Sequence, residues 1–503
     1  MFRQFIQAVF LASLLCFANA FAEDDQAAPF KAANPLLPKL LKFKSINVTG
    51  SIRTRLESWN WFEPTTGDST YTYSGNIFRL MLSQSRESFG WQVEFAAPVL
   101  LGLPENATGA GAQGALGLGA NYFAANNRSR NSAMLFPKQA LISFKSLGGK
   151  FALLKVGRFE FADGSEMAPK NATLSTLKTT RINMRLLGHF GWAHVGRSFD
   201  GIHYSRNTAD ARSNITFVGA VPTRGVFQTD GWGWNQVAFG YLSYTKAWAQ
   251  GRHATETRLF ALYYDDWRNV LKVDNRPAPV RNADKGNLKI TTFGGHSIHA
   301  LDTKKATYDL LFWGAAQTGR WGNLDHRAYA VIGEAGVQPK ALATLKWKPW
   351  LRSGLSLSSG DGNPGDTKHN SFFQVMPTPR PFARFPFFNM MNNQDIYAGI
   401  TVKPHARLSL SSEFHSLSLR NRNDLWYAGG GVFQPWTFGY QGRATSGAKS
   451  LANLYDVSAD IKINSVTSLN LYYGHAQGLA AIAAIYPKGQ SGNLGYVELM
   501  FRF

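Results

Sequence analysis

Histidines are the side chains of this sequence whose spacing comes nearest to acid–base chemistry. His189, His194 and His203 lie close to Asp200 along the chain, and a histidine beside a carboxylate can act as a general base. His415 and Glu413 offer a second such pair. The eleven histidines include no HExxH pattern, and no Gly-x-Ser-x-Gly motif supplies a nucleophile. We therefore interpret these groups as ordinary polar residues and predict that the chain is not an enzyme.

Metal and cofactor chemistry has no better basis in the sequence. The single cysteine, Cys16, lies near the amino terminus, and the histidines lack the spacing of metal ligands. We predict neither a metal site nor a cofactor. The 53 basic and 32 acidic residues give a net charge of +21, which points to anionic partners. No nucleic-acid-binding module is visible, so we expect no nucleic-acid partner.

The elements that must position these charges are short segments of alternating apolar and polar residues, which predict β-strands. In the segment 407–417, Leu408 and Phe414 share one face while Glu413 and His415 share the other. Beyond residue 22 no stretch is long and apolar enough for a membrane helix. About 480 residues, at about 27 per strand and connection, fit 16 to 18 strands of a transmembrane barrel. The alternation by itself also fits a soluble two-sheet sandwich.

The two ends of the chain favour the membrane. Residues 1–22 combine Arg3, a short apolar run and small residues, which is typical of a secretory signal peptide. We expect a periplasmic lead-in over 23–44 and the barrel over 45–503. In the final segment, GYVELMFRF, one face is apolar, and it resembles the closing strand of outer-membrane barrels, whose terminal Phe is read by the barrel assembly machinery. The residues of that face are Val497, Leu499, Phe501 and Phe503.

The fold class predicted on this basis is all-β: a transmembrane antiparallel up-and-down β-barrel of about 18 strands. In hydrocarbon, β-structure satisfies its backbone groups only by closing on itself. Charged side chains on the lipid-facing side cost about 2 to 4 kcal/mol each near the middle of the membrane. Strand-borne charge is therefore expected in the lumen or at the rims, and a basic lumen would favour anions. The alternative is that the positive excess lies in loops and rims that face anionic lipid.

Four blocks of the sequence together resemble the alginate-export family of outer-membrane β-barrel proteins. They are INVTG (46–50) with NIFRLML (76–82); KVGRFEF (155–161) with GWAHVGRSFDGIHYS (191–205); SSGDGNPGD (358–366) with the Pro- and Phe-rich segment 372–399; and DVSADIKIN (456–464) with the closing GYVELMFRF. The resemblance spans most of the chain. It implies an 18-stranded barrel whose narrow, arginine-lined lumen passes an anionic polysaccharide outward. Glu160 stands where the best-known members carry a basic residue, so this lumen is less uniformly basic.

The same resemblance places Arg79, Lys138, Arg158 and Arg384 at basic positions of the lumen. An arginine fork suits a carboxylate, and conduction requires that binding be shared over several weak sites. We expect these four residues to form a ladder for carboxylates, and the alternative for each is a place at the rim. Weaker candidates for the same ladder are Arg53, Arg55, Arg197 and Arg443. The acidic neighbours that would weaken the binding of an anion are Glu94, Glu160 and Glu413.

The segment 360–393 is too long for an ordinary hairpin connection, and we expect it to plug or constrict the pore, with an external disordered loop as the alternative. The predicted function is an outer-membrane channel of a Gram-negative bacterium that passes anions, foremost an exported acidic polysaccharide such as alginate. Its expected partners are outer-membrane lipid, the substrate and the barrel assembly machinery, and the resemblance leaves periplasmic export proteins open. The alternatives are a porin that takes up small organic anions and, less favoured, a barrel hydrolase.

Overall fold

The computed structural model describes residues 41–340, 347–378, 384–432 and 434–503. The predicted signal peptide (1–22) and residues 23–40 of the predicted lead-in lie outside the described residues. The end of the lead-in belongs to the sheet, because Leu41–Phe43 forms a short strand that pairs with 46–48.

Within the described parts of the chain, eighteen long antiparallel strands form one closed sheet. Each strand pairs with the next along the chain, and the last pairs with the first from Ser51 opposite Arg502 to Asn60 opposite Asn493. This confirms the predicted barrel and excludes the sandwich. The strands are β1 (Ile46–Asn60), β2 (Thr70–Ser85), β3 (Phe89–Leu101), β4 (Phe136–Lys145), β5 (Ala152–Phe159), β6 (Phe199–Asn207), β7 (Ser213–Pro222), β8 (Val237–Gln250), β9 (His253–Asp266), β10 (Leu288–Asp302), β11 (Ala306–Trp321), β12 (Leu324–Pro339), β13 (Trp350–Ser358), β14 (Asn393–His405), β15 (Leu408–Leu419), β16 (Ser450–Lys462), β17 (Thr467–Gly478) and β18 (Ser491–Arg502).

The alternation of the strands separates an apolar outer face from a polar inner face. In β1, Ile52 and Leu56 are 44% and 52% exposed on the outside, whereas Arg53, Arg55 and Glu57 are buried on the inside. Closure pairs the backbone groups of the wall, as a hydrocarbon environment requires. Charged side chains of the strands, such as those of β1, therefore lie on the inward face.

The two ends of the barrel differ in the length of their connections. At the end that holds the carboxyl terminus, the strands are joined by short turns such as 86–88 and 251–252. The opposite end carries the long connections 160–198, 359–392 and 420–449. Outer-membrane barrels have short periplasmic turns and long extracellular loops. The short-turn end is therefore the periplasmic end.

The chain terminus seals the junction between the first and last strands. The backbone N–H of Phe503 donates to Gly50 O at 3.0 Å, and the N–H of Gly50 donates to Phe503 O at 2.9 Å. A Cβ atom on Gly50 would lie 2.3 Å from Cζ of the Phe503 ring, so only glycine leaves room for that ring. Val497, Leu499 and Phe501 point outward and are exposed.

The barrel interior is packed with inward-folded connections. Buried clusters inside the wall include Phe372 and Val375 on one side and Phe385 and Phe387, with Trp59 of β1, on the other. Residues 372–376 and 385–391 of the segment 360–393 thus pack inside the barrel, whereas residues 363–365 and 367–368 are exposed. The short elements of the connections are α1 (Leu118–Ala125), α2 (Ala172–Leu177), the π-helical turn Lys178–Ile182, α3 (Ala278–Ala283), α4 (Ala480–Ile485), the 3-10 turn Gly111–Gln113 and the strands Thr108–Gly109, Gly114–Ala115, Ser132–Ala133, Lys368–His369, Trp426–Gly429 and Tyr440–Arg443.

Among the described residues, no helix is long and apolar enough to span a membrane.

Candidate functional site

The connection 160–198, which joins β5 to β6, crosses the lumen and is called here the inserted segment. Asn171 begins α2 by accepting a hydrogen bond from Leu174 N at 3.1 Å, an N-cap. The Asn171 amide also donates to Gly251 O at 3.3 Å, in a periplasmic turn. The segment therefore runs from the extracellular end of the wall to the periplasmic end.

Buried ion pairs fix the inserted segment to the wall. Arg258 of β9 lies 3.3 Å from Asp163 and 3.2 Å from Glu166, and Lys178 lies 2.6 Å from Glu256 of the same strand. Burial alone would raise the pKa of Glu166, but Arg258 and Lys178 lower it to about 2. Because a buried charge is tolerated only when it is paired, the attachment depends on these partners.

A second set of pairs joins residues 181–185 of the inserted segment to two other strands of the wall. Arg181 pairs with Glu413 of β15, and Arg185 lies 3.7 Å from Glu334 of β12. Arg352 of β13 also binds Glu334, at 2.6 Å. The segment is thus held from two sides, and it narrows the space between them.

A cavity of about 670 Å³ remains between the inserted segment and the wall formed by β1, β2, β13–β16 and β18. Seven cationic side chains line this cavity: Arg53, Arg79, Arg181, Arg352, Arg384, Lys403 and Arg502. Five acidic ones do so as well: Glu160, Glu413, Asp456, Asp460 and Glu498. Hydroxyl groups fill much of the remaining lining, from Ser51, Thr176, Thr179, Thr180, Thr378, Thr401, Ser409, Ser411 and Ser458.

Five of the sequence-predicted site residues line this cavity. They are Arg53, Arg79, Arg384, Glu160 and Glu413. The Arg79 fork binds Glu94 through two hydrogen bonds of 2.7 Å and lies 3.1 Å from Glu160. Burial alone would raise the pKa of Glu160, but His189, Arg79 and Lys138 lower it to about 2. Predicted cations and predicted acids are thus partners of one another.

Arg53 and two further predicted cations, Lys138 and Arg55, form contacts inside the barrel. Arg53 donates to Gly191 O at 2.6 Å and to Ala193 O, and so anchors the inserted segment. Lys138 donates to Val195 O at 3.3 Å in the same segment. Arg55 lies beneath Trp192 and donates to the cavity residue Glu498 at 2.8 Å without lining the cavity itself. Arg55 and Lys138 are buried partners of the inserted segment rather than cavity-lining groups.

Arg158 does not face the lumen, where the predicted ladder for carboxylates would place it. It shares the outer face of β5 with Val156, which is 40% exposed, and binds Asp200 at 2.6 Å and Trp232 O at 2.8 Å. This corrects the lumen placement in favour of the rim alternative. Alternation shows which residues share a face, but the short strand β5 does not reveal which face is inner.

Arg197 and Arg443 do not line the lumen cavity as predicted. Each of them instead holds different connections between strands together. Arg197 is buried and donates to the carbonyls of Pro377, Gly430 and Val432 at 3.0 to 3.1 Å. Arg443 donates to Ala115 O at 3.0 Å and covers the ring of Trp426. Neither lines the cavity.

Of the two histidine groups, the structure disperses the one around Asp200, whereas it keeps His415 3.5 Å from Glu413. Asp200 faces outward with Arg158, whereas His203 packs inward against Phe161, with 5.3 Å between ring centroids. His194 binds Glu57 at 2.9 Å, and His415 binds Asp395 at 2.9 Å. Across the described ranges, no three His, Cys, Asp or Glu side chains form a group that could hold a metal ion.

Several cavity residues were missed by sequence reasoning. Arg181 lies in the inserted segment, whose length alone marks it as unusual by the criterion applied to 360–393. Asp456 and Asp460 stand on the polar face of the alternating segment 456–463 and could have been assigned to the lumen. Arg502 likewise stands on the polar face of the closing strand, whereas Arg352 and Lys403 were not singled out by any motif.

Comparisons with known proteins agree with the closed β-barrel described above. The family model described as "Alginate export" matches residues 94–484. No curated protein sequence matches the chain significantly. Among solved structures, OpdK from Pseudomonas aeruginosa has a TM-score of 0.53 at 9% identity and covers 91% of this chain and 99% of its own. OccAB2 from Acinetobacter baumannii scores 0.57 at 9% identity (91% and 98%), and a BenF-like porin from Pseudomonas fluorescens Pf-5 scores 0.54 at 9% (92% and 99%). At this identity the structures show a common fold.

Proposed function

The chain belongs to the alginate export family, and from this premise we propose that it is an outer-membrane channel for anionic substrates, foremost an exported acidic polysaccharide such as alginate. Its location in the Gram-negative outer membrane follows from the family and the barrel. The proposal includes passage through the lumen cavity, assembly by the barrel assembly machinery and cooperation with periplasmic export proteins. It includes no catalytic step.

The observation that supports this proposal most strongly is the lining of the cavity beside the inserted segment. Seven cations face five carboxylates there, and the low-dielectric wall concentrates their field in the lumen. Arg79 is neutralised by its acidic partners, but Arg384 forms no ion pair with a described residue. A carboxylate of the substrate can bind such a free fork. Because the excess of cations over carboxylates is small, the substrate anion binds weakly enough to be released.

Single-channel recording in a planar bilayer tests the proposal. In a KCl gradient, the reversal potential of the wild-type channel should show a preference for chloride, and R384Q should reduce that preference. The matched control is R128Q, which removes the same charge at an exposed extracellular turn and should leave the potential unchanged. A preference for potassium in the wild-type protein would end the proposal.

Polymer block distinguishes export of a polysaccharide from uptake of small anions. A polyuronate chain should interrupt the single-channel current when added on the periplasmic side, and neutral dextran of equal length should not. The uptake alternative has one observation in its favour, since about 670 Å³ is a typical volume for a site that holds one small molecule. Block by monomeric acids without block by the polymer would favour that alternative.

A further inference from the structure

The periplasmic rim of the barrel carries a concentration of positive charge that is separate from the lumen cavity. The segments 41–45, 86–89, 145–151, 206–212 and 246–252 form strand ends and turns at this rim, and we call them the basic arc. They contain nine lysines and arginines but only two acidic residues, Glu87 and Asp210. None of the residues that line the cavity belongs to these segments. The basic arc therefore presents an excess of positive charge that the passage does not use.

Hydrogen bonds between neighbouring turns make the basic arc continuous. The Gln84 amide donates to Ser45 Oγ at 2.6 Å, and Arg86 Nε donates to the carbonyl oxygen of the same Gln84 side chain at 3.3 Å. Backbone hydrogen bonds of 2.7 to 3.1 Å make the remaining junctions, from Lys145 N to Ser88 O, from Asn207 N to Phe151 O and from Ala247 N to Arg212 O. The segments thus lie side by side along one part of the rim.

Four cations of the basic arc each lie over an aromatic ring of a nearby residue. The closest pair is Lys246 and Trp248, with 4.0 Å from Nζ to the ring centroid. The other three pairs are Lys44 over Phe43 at 6.0 Å, Arg86 over Phe89 at 5.4 Å and Lys150 over Phe151 at 5.9 Å. Phe43, Phe151 and Trp248 are exposed large apolar residues. The arc therefore combines positive charge with exposed rings.

Strand β8 shows that these pairs lie at the edge of the lipid-facing surface. Leu242 and Tyr244 are exposed on its outer face, and Lys246 follows them on the same face. The pairing of β8 with β9 is irregular at Trp248, and a bulge re-aims a side chain. The Trp248 N–H donates to Thr257 Oγ1 at 3.2 Å, on the outer face of β9. The ring therefore ends the apolar outer surface on the periplasmic side.

The four cations have no opposite charge of their own. Within the described ranges, none of Lys44, Arg86, Lys150 and Lys246 forms an ion pair. Aromatic rings concentrate at the membrane–water interface, at the level of the lipid headgroups. A long cationic side chain beside such a ring keeps its stem against apolar surface and its charge in water. An anionic headgroup at this level supplies the opposite charge.

We infer that the basic arc binds anionic phospholipid headgroups of the periplasmic leaflet in preference to zwitterionic ones. The headgroup phosphate accepts hydrogen bonds from the ammonium and guanidinium groups, and the acyl chains lie against the apolar outer face of the barrel. A zwitterionic headgroup binds less well because its own ammonium group is repelled by the arc. The inference concerns the bilayer around the barrel and is independent of the substrate that passes through the lumen.

Electron spin resonance of spin-labelled lipids tests the inference, because it measures which lipid occupies the boundary of the barrel. The folded protein is placed in phosphatidylcholine bilayers that contain labelled phosphatidylglycerol or labelled phosphatidylcholine. At about 0.01 M salt, phosphatidylglycerol should associate at least about threefold more strongly, since each lysine or arginine near a membrane surface attracts anionic lipid. At about 1 M salt the ratio should approach one, because the screening length falls to about 3 Å.

Variants test whether the four cations are responsible. K44Q/R86Q/K150Q/K246Q should lower the ratio to below about 1.5, because the unpaired charges beside the rings are removed. K44R/R86K/K150R/K246R keeps these charges and should keep the wild-type ratio. R128Q/K285Q/R420Q/R422Q removes four exposed charges at the extracellular end and should also leave the ratio unchanged. Folding of each variant is checked by its heat-dependent mobility in electrophoresis.

The outcomes are separate from those of the channel proposal. Equal association of both labelled lipids with the wild-type barrel at low salt would overturn the inference and would make an acidic periplasmic protein the better partner for the arc. A full preference for phosphatidylglycerol in the folded four-glutamine variant would overturn the role of these cations. Neither result bears on the ion preference of the lumen, which is measured independently.

Discussion

The attachment of the inserted segment to the wall depends most on Arg258, and R258Q should release it. Arg258 is fully buried and is shared by Asp163 and Glu166, so its removal leaves two buried carboxylates without an ion-pair partner, and only Lys178 still acts on Glu166 from a greater distance. Breaking a buried ion pair from one side costs about 3 to 5 kcal/mol. At about 1.4 kcal/mol per tenfold change, the displaced state should become roughly a hundred to several thousand times more populated.

Single-channel conductance reads out this change, because a displaced segment no longer narrows the lumen. R258Q should show open levels of higher conductance than the wild-type channel, and amide exchange in the inserted segment should accelerate. R320Q is the matched control: Arg320 pairs with Asp325 at an exposed rim, where an ion pair contributes about 0 to 1 kcal/mol. Neutralising one orphaned carboxylate in R258Q/E166Q should partly restore the wild-type level.

A folded R258Q barrel with wild-type conductance and wild-type exchange in the inserted segment would refute the anchoring role of Arg258. Such a result would mean that the remaining contacts hold the segment without Arg258. A loss of the whole barrel in R258Q would be recognised by its electrophoretic mobility, and the double variant would then provide the test.

Three other changes have definite expected outcomes. Deleting Phe503 removes the ring seated over Gly50 and should lower the fraction of folded barrel in the outer membrane, which surface labelling measures; an unchanged fraction would contradict the role of this contact. Burial raises the pKa of Asp424, in an extracellular connection, to about 6. Ionisation is therefore disfavoured in the folded state, and the protection of the surrounding backbone from exchange, corrected for intrinsic rates, should fall as pH rises from about 4 to 6. D424N should flatten this dependence, and an equally steep dependence in the variant would contradict it. R79Q should shift the reversal potential toward cations because it frees Glu94 and Glu160, and R79Q/E94Q should shift it less; equal shifts would show that the pairing does not matter.

The wall of the barrel could be predicted from sequence because each strand carries its own pattern. In 407–417 the alternation alone separates Phe414, which faces outward, from Glu413, which lines the cavity. This information is local and repeats with a period of two. The closing strand could be recognised for the same reason.

The interior could be predicted less well because its contacts join distant parts of the chain. Arg197 binds the carbonyls of Gly430 and Val432, more than 230 positions away, and nothing near Arg197 in the sequence indicates this. Arg53 and Arg55 share one face of β1, but only Arg53 lines the cavity, since Trp192 of the inserted segment covers Arg55. Which cations remain free is decided by the connections that fold inward.

The charge of the chain is therefore a poor measure of the charge that a substrate meets. The sequence carries a net charge of +21, yet the cavity presents seven cations and five carboxylates, and Arg79, Arg181 and Arg352 are each bound to acids. A lumen of free arginines would hold a polyanion at many strong sites and slow its release. Paired arginines leave only a small excess of positive charge in the cavity, and Arg79 and Arg181 also hold the inserted segment, so on the proposed function the ion pairs that shape the passage also limit how tightly an anion binds there.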